Sequence, residues 1–228
     1  MKINKLLDIW KWGLLISIFS FLGCAGPTRL YSVNIYYDAD QAAIPAYLKA
    51  DKASNAIISI AEFTDTRRMD DRLVIGHVVE KDGMKNLVFP KNVKATKAIS
   101  KGIKEYLRKA GYKVSDKIGQ WDLKEETMPK EDFKILVGGN IDELEISCRR
   151  EFPTNTCTTN MKLTIVFADM AKGKILYKSM VESNFSKEYV LFSEESLGEQ
   201  AGITLGDAIE KVFADKAVAQ KIKEAIAQ

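Results

Sequence analysis

Three consecutive segments in the second half of the chain alternate apolar and polar residues: 133–148, 157–169 and 174–185. A period of two residues is typical of a β-strand with one buried face. The short turn Met170-Ala171-Lys172-Gly173 between the last two segments favours antiparallel pairing. The pattern therefore predicts a sheet built around long antiparallel strands.

Shorter patterns in the first half of the chain add strands to this sheet. Residues 55–63 are rich in β-forming residues and predict a central strand. Residues 73–79 and 87–89 predict a hairpin around Lys81-Asp82-Gly83. Gly138-Gly139, inside the first long strand, predicts a bulge or a sharp bend.

Two other stretches repeat their apolar residues with a helical period. The first covers residues 93–110 and ends at Gly111, a typical stop signal. The second forms an apolar stripe from Leu197 to Phe213 and continues to Ile226 after a restart at Asp215. Together the elements predict an α+β fold, with an antiparallel or mixed sheet and two main helices packed on one face.

The N-terminal residues resemble the export signal of a bacterial lipoprotein. A basic start at residues 1–12 precedes an uncharged, mostly apolar run at 13–23. As a helix this run spans about 16 Å, roughly half of a bilayer core, which is typical of a signal peptide. Cys24 follows it as the cysteine of a lipobox does, although Phe21-Leu22 departs from the preferred Leu followed by Ala or Ser.

This resemblance implies removal of residues 1–23 and acylation of Cys24. A conventional signal peptide with an incidental Cys24, or an uncleaved anchor, is the alternative. Ala25 in place of Asp resembles the outer-membrane class of lipoproteins, so we expect a protein anchored there and facing the periplasm. Residues 24–54 would then form a tether with a short strand near 30–37, ahead of a single domain at 55–228.

Composition and charge narrow the class of protein further. Hydrophobic residues make up 46% of the chain and charged residues 29%, as in ordinary globular proteins. Loss of residues 1–23, with three lysines and one aspartate, would lower the formal net charge from +3 to +1. A nearly neutral chain lacks the electrostatic footprint of a nucleic-acid-binding protein.

Cys148 and Cys157 are the two other thiols of the chain. The oxidising periplasm favours a disulfide between them. Both fall on the apolar parity of their strands, and pairing them sets Ile146 opposite Thr159. Two buried free thiols, or a metal site completed by His77, are the alternatives.

The sequence offers few groups for catalysis. His77 is the single histidine and lies in an apolar run, which favours a rim or packing role. The chain has no glycine-rich phosphate loop and no dinucleotide fingerprint. Glu143 and Glu145 fall on the outward parity of a strand, which favours a solvated face over a catalytic carboxylate pair. We therefore expect a protein that is not an enzyme and has no cofactor or metal.

A charged segment at residues 64–72 is the first candidate for partner binding. Asp65, Arg67, Arg68 and Arg72 lie in it, directly after the predicted central strand. Guanidinium groups can bind carboxylates on a protein or a glycan with two parallel hydrogen bonds. The alternative is that Asp65 caps a turn and the arginines pair within the loop.

A second candidate is the aromatic run Tyr189-Val190-Leu191-Phe192. Its apolar length exceeds what a solvated loop needs, which favours an interface. Tyr189 and Phe192 are the side chains that we expect to contact a partner. The alternative is that they close the edge of the core.

Several short motifs together resemble a known group of proteins. A strand ends in Phe63-Thr64-Asp65-Thr66-Arg67, Ile75-Gly76 follows, and the first helix closes with Leu107 and Gly111-Tyr112. In this order they resemble the YajG-type family of small bacterial lipoproteins, over residues 55–185. The resemblance implies a non-enzymatic envelope protein.

The leading hypothesis is a non-catalytic lipoprotein that binds or assembles with an envelope partner. A glycan- or peptidoglycan-binding module and an auxiliary lipoprotein of an envelope transport system are the alternatives. An enzyme with an unrecognised carboxylate site is a further hypothesis.

Overall fold

A computed structural model describes residues 29–51, 55–117 and 119–227 of the chain. The expected export signal and Cys24 lie outside the described residues. Within the described residues, nine strands form one open, mixed sheet accompanied by three α-helices, which confirms the α+β fold. The elements are β1 Leu30–Val33, β2 Ile57–Ile60, β3 Thr64–Asp65, β4 Gly76–Val79, β5 Lys85–Pro90, α1 Ala95–Lys109, β6 Lys113–Val114, β7 Ile135–Arg150, β8 Asn155–Asp169, β9 Lys174–Tyr189, α2 Glu194–Ala214 and α3 Lys216–Ile226.

Strand β7 organises the sheet because it is long enough to pair with several shorter strands. Along one edge it pairs in series, and in parallel, with β2, β3 and β4. Strand β4 turns back into β5 as the predicted hairpin, β5 pairs in parallel with β1, and β6 pairs with β2. On its other edge β7 begins the antiparallel series β7-β8-β9.

The predicted register of the two cysteine-bearing strands is confirmed. Cys148 lies opposite Cys157, and Ile146 lies opposite Thr159. The two cysteines form a disulfide, with their Cα atoms 4.0 Å apart. The sequence alternatives of free thiols and of a metal site using these sulfurs do not describe this structure.

The glycines in β7 do not form the predicted bulge. The register shift lies just beyond them, between Ile141 and Glu143. A Cβ on Gly139 would come within 2.4 Å of the Phe63 ring, and one on Gly138 within 2.8 Å of the Trp121 ring. These glycines therefore let aromatic rings lie against the strand backbone.

The helices cover one face of the sheet and enclose the main core. The apolar stripe of α1 is fully buried, and Gly111 ends the helix with a φ of +95°. The predicted restart is also present, since Asp215 ends α2 and its carboxylate accepts a hydrogen bond from the Ala217 N–H at the start of α3. Among the described residues, no helix combines the length and apolarity needed to cross a bilayer.

The residues after Arg29 belong to the folded core. Tyr31, Val33 and Leu48 are buried, and β1 is hydrogen-bonded to β5. The main core therefore includes part of the segment that the sequence assigns to the tether. The reason is that β1 contributes the apolar side chains of Tyr31 and Val33 to that core.

After β1 the chain crosses α2 through residues 34–38 and a 3-10 turn at Ala39–Gln41. We call residues 34–41 the N-terminal strap. Glycines Gly198, Gly202 and Gly206 form a stripe on α2 beneath it. A Cβ on Gly202 would lie 2.1 Å from the Tyr36 carbonyl oxygen. Only glycine permits this approach of strap and helix.

Candidate functional site

Arg67 is a structural residue of the charged loop at 64–72. Its side chain is 5% exposed and forms an ion pair with Asp65, with Nη2 2.7 Å from Oδ2. The remaining donors bind the loop and the sheet: Nε donates to Asp65, Nη1 to the carbonyls of Val74 and Leu144, and Nη2 to the Arg72 carbonyl. Internal pairing, the second interpretation of the sequence, is what this arginine does.

The outward residues of the same loop are Arg68 and Arg72. Both are exposed, and Asp65 is partly buried beside Arg67. Because Arg67 ties the loop to β7 through Leu144, the two exposed guanidinium groups extend from a fixed backbone. Of the four predicted residues, Arg68 and Arg72 are therefore the ones available to a ligand.

Tyr189 and Phe192 are half-buried and anchor the connection between β9 and α2. The Tyr189 hydroxyl donates to the Ser196 carbonyl oxygen at 3.4 Å, and burial together with the charge of Glu199 raises its pKa. The Phe192 ring packs edge-on against Tyr31, with centroids 5.2 Å apart, and carries the Arg150 guanidinium 4.8 Å from its centre. Both rings mainly close the core edge, the second interpretation of the sequence.

His77 lies on β4 with part of its ring exposed. Its Nδ1 is 3.3 Å from a carboxylate oxygen of Glu145. Burial lowers the pKa of His77, the charge of Lys85 lowers it further, and Glu145 opposes the shift. The part of the chain that the structure describes holds no group of three or more His, Cys, Asp or Glu placed to bind a metal ion.

The sequence did not predict a groove of about 720 Å³ between the N-terminal strap and α2. Its lining is mostly apolar, with Tyr36 and Ile203 exposed at 55% and 44%. The glycine stripe lets the strap backbone and the Tyr37 ring lie directly against α2 along the groove. Acidic residues surround it: Asp38, Glu195, Glu199, Asp207 and Glu210.

The charges of the groove are only partly compensated. Asp207 pairs with Lys211 at 2.6 Å. Glu195 and Glu199 are exposed and lie four residues apart on α2, and no lysine or arginine among residues 29–51, 55–117 and 119–227 forms an ion pair with either of them. Like charges at this spacing repel each other by about 0.2–0.5 kcal/mol, although Glu195, in the first turn of α2, also benefits from the positive end of the helix. The site therefore favours a cationic ligand.

One side of the groove is fixed by Tyr37. Its hydroxyl donates to Glu210 at 3.4 Å, while its ring packs on Gly206. Burial, and then the negative charge of Glu210, raises the pKa of Tyr37, so the phenol stays protonated as a donor. In the sequence, this site is visible only as glycines spaced by four residues in α2, next to two glutamates with the same spacing.

Comparisons with known proteins identify a shared fold. No family model and no curated protein matches the chain. Protein XCC0632 from Xanthomonas campestris, assigned to the DUF330 family, is 8% identical and aligns over 86% of this chain and 99% of its own, with a TM-score of 0.51. At this identity the similarity concerns the fold alone.

Bacterial lipoproteins are also among the structural neighbours. Lipoprotein GNA1162 from Neisseria meningitidis is 11% identical over 70% of this chain and 99% of its own, with a TM-score of 0.39. A minor lipoprotein from Acinetobacter baumannii is 10% identical over 72% of this chain and 92% of its own, with a TM-score of 0.36. The specific YajG-type resemblance stays a prediction.

Proposed function

We propose that the chain is a lipid-anchored protein of the bacterial outer membrane that binds a basic, amphipathic segment of an envelope protein in the groove between the N-terminal strap and α2. The observation that carries this proposal is an apolar groove with exposed, uncompensated carboxylates at Glu195 and Glu199. The anchor itself is supported by the sequence around Cys24. In this function the protein holds a partner and performs no chemistry on it.

The two parts of the groove have separate roles in binding. Apolar side chains of the ligand would cover Tyr36 and Ile203, and burial of apolar surface contributes about 25 cal/mol per Å². Basic side chains would approach Glu195 and Glu199 and relieve their mutual repulsion. Charge thus sets the preference among ligands and the apolar floor supplies affinity.

The direct test is titration with two synthetic amphipathic peptides that share their apolar positions, one lysine-rich and one glutamate-rich. We expect only the lysine-rich peptide to bind, and the double variant Glu195→Gln, Glu199→Gln to weaken it about fivefold to tenfold. The matched control, Glu126→Gln with Asp132→Asn, removes two exposed carboxylates on the loop before β7 and should leave binding unchanged. Equal binding of both peptides would refute the proposal.

The anchor has an independent test in the intact mass of the purified mature protein. Cleavage before Cys24 with a diacylglycerol adduct is the expected result, and Cys24→Ser should leave the protein unprocessed and unacylated. Normal membrane anchoring of that variant would show that Cys24 is not the anchor.

A second candidate, glycan binding, is favoured by the exposed arginines of the 64–72 loop. Retention on purified peptidoglycan sacculi tests it with Arg68→Ala and Arg72→Ala, which leave the structural Arg67 in place. The control Lys97→Ala with Lys130→Ala removes two exposed cations elsewhere. Equal retention of both double variants would exclude a role for the loop. An auxiliary protein of a transport system is a special case of the first proposal, with a transport component as partner.

A further inference from the structure

One end of the sheet carries a group of highly exposed apolar side chains. Phe152 is 88% exposed, Leu191 82%, Val190 76% and Leu30 65%. We call these four residues the apolar end cluster. Single exposed apolar residues are common on protein surfaces, but several at one end of a sheet, three of them on neighbouring loops, are typical of a contact surface.

The structure brings these loops together from distant parts of the sequence. Asn155, at the start of β8, donates hydrogen bonds to the carbonyls of Tyr189 and Val190 at 2.9 and 3.3 Å, so the β7-β8 loop lies beside the β9-α2 connection. The Lys81 ammonium lies 5.8 Å from the centre of the Phe152 ring, which adds the β4-β5 turn to the same end.

The chain also enters the fold at this end. Leu30 begins β1, and the next residue, Tyr31, packs against Phe192 of the β9-α2 connection. Cys24 lies five residues before Arg29. Since an extended chain spans at most about 3.6 Å per residue, the thiol of Cys24 is covalently limited to about 20 Å from the start of the fold.

We propose that the apolar end cluster faces and enters the membrane surface that holds the lipid anchor. The inference rests on the acylation of Cys24 proposed above. The short segment between Cys24 and Arg29 keeps the anchored bilayer close to these four side chains. The interfacial zone of a bilayer accepts exposed Phe, Val and Leu side chains. The cluster is then a second attachment, in addition to the acyl chains.

The contact is apolar and not electrostatic. Two of the basic residues around the cluster are paired within the fold: Arg150 pairs with Glu80 at 2.9 Å and Arg149 with Glu151 at 3.7 Å. We therefore expect insertion to depend less on anionic lipid and on salt than the attachment of a polybasic surface does.

Tryptophan fluorescence in vesicles tests the proposal. The acylated protein, with Leu191→Trp, is reconstituted in phosphatidylethanolamine and phosphatidylglycerol vesicles that contain phospholipid brominated on its acyl chains. The control is Met180→Trp, because Met180 is 60% exposed but nine residues before the end of β9, about 30 Å along the strand. The native Trp121 is buried and supplies the same background in both.

We expect the indole introduced by Leu191→Trp to lose more than half of its emission and to shift to the blue, and the control to change little. Acylated protein with an unquenched indole would overturn the membrane contact and leave the lipid anchor intact. Unacylated protein, read from the intact mass, would refute the anchor and with it this inference. Shielding of the indole in a dimer without vesicles would assign the cluster to a second copy and also overturn the proposal.

A second measurement uses variants that remove the apolar surface. The protein used is the unacylated chain 25–228, which contains all the described residues. Its partitioning into vesicles should fall by at least about tenfold in the triple variant Phe152→Ser, Val190→Ser, Leu191→Ser. These side chains are exposed, so the fold should persist. Unchanged partitioning of this triple variant would contradict the proposal.

Discussion

Replacing Arg67 with alanine is expected to destabilise the domain strongly, whereas the same change at its neighbour Arg68 is not. Arg67 is 5% exposed and uses its donors within the fold. Arg68 is exposed. The two substitutions remove the same side chain from adjacent positions, so their difference isolates the effect of burial and bonding.

The magnitude follows from what Arg67→Ala leaves behind. The Asp65 carboxylate, 13% exposed, loses its cation. Carbonyl oxygens of Val74 and Leu144 lose their guanidinium donor. Breaking a buried ion pair by removing one partner costs about 3–5 kcal/mol, and we expect a value in this range. Loss of the exposed Arg68 should cost less than about 0.5 kcal/mol.

Urea unfolding of the chain from residue 25 measures both variants. Trp121 is the only tryptophan beyond the expected export signal, and its buried ring reports unfolding by fluorescence. With a urea slope of about 2–3 kcal/mol/M, Arg67→Ala should lower the midpoint by about 1–2.5 M. Arg67→Lys, which keeps the charge but not the planar fork, should recover only part of the loss.

The reasoning would be refuted by equal midpoints for Arg67→Ala and Arg68→Ala. It would also be refuted if Arg67→Lys were fully stable, because a single ammonium cannot replace the separate donors that reach Asp65, Val74 and Leu144. In either case the hydrogen bonds of Arg67 would not be what holds the loop to β7.

Three further predictions concern other parts of the fold. The pKa of His77 is lower in the folded protein than in the unfolded chain. As the pH falls below about 6.5, the imidazole is therefore protonated in the unfolded chain before it is protonated in the folded protein, and the free energy of unfolding should decrease. This part of the acid dependence should be absent in His77→Gln, compared with the parent by urea unfolding at about pH 7.5 and about pH 5.5; an identical dependence in both proteins would contradict it. Gly202→Ala would place a Cβ 2.1 Å from the Tyr36 carbonyl oxygen. It should cost about 1–3 kcal/mol and weaken binding of the basic peptide, while Gly119→Ala, which meets no atom within 4 Å, should cost little; equal effects on stability would rule out the close contact. Cys148→Ala with Cys157→Ala should lower stability by about 2–3 kcal/mol at most, because the disulfide closes a short loop. Reducing and non-reducing peptide maps check the bond, and identical maps would show that it does not form.

The sequence predicts the long strands and their register well because both depend on local patterns. The apolar parity shared by Cys148 and Cys157 is visible in the sequence, and it admits few pairings that keep every apolar side chain on one face. The end of α1 at Gly111 and the restart at Asp215 follow from capping chemistry in the same way.

Features that depend on contacts between residues far apart in the sequence could not be predicted from it. A run of charged residues gives no sign that Arg67 is buried, because its carbonyl partner at Leu144 lies 77 positions away. The groove has the same origin, since it exists only where the N-terminal strap crosses α2. Gly138-Gly139 predicted a bulge because local geometry does not reveal the two rings that need the space.

The structure also explains the motif on which the family resemblance depends. Phe63 packs against Gly139, and Asp65 binds Arg67. The three defining side chains of this motif, Phe63, Asp65 and Arg67, therefore hold the 64–72 loop against β7. They are informative about fold and say little about a ligand.

The position of β1 has a mechanical consequence for an anchored protein. Tension between the membrane and a partner in the groove would enter the chain at Leu30 and act along β1. Because β1 lies at the edge of the sheet in parallel with β5, pulling along its axis would load the β1-β5 hydrogen bonds together, in shear, and not one after another as in unzipping. The N-terminal strap, fitted against the α2 glycines, lies next on this force path. The first elements of the fold would thus form its tensile link to the cell envelope.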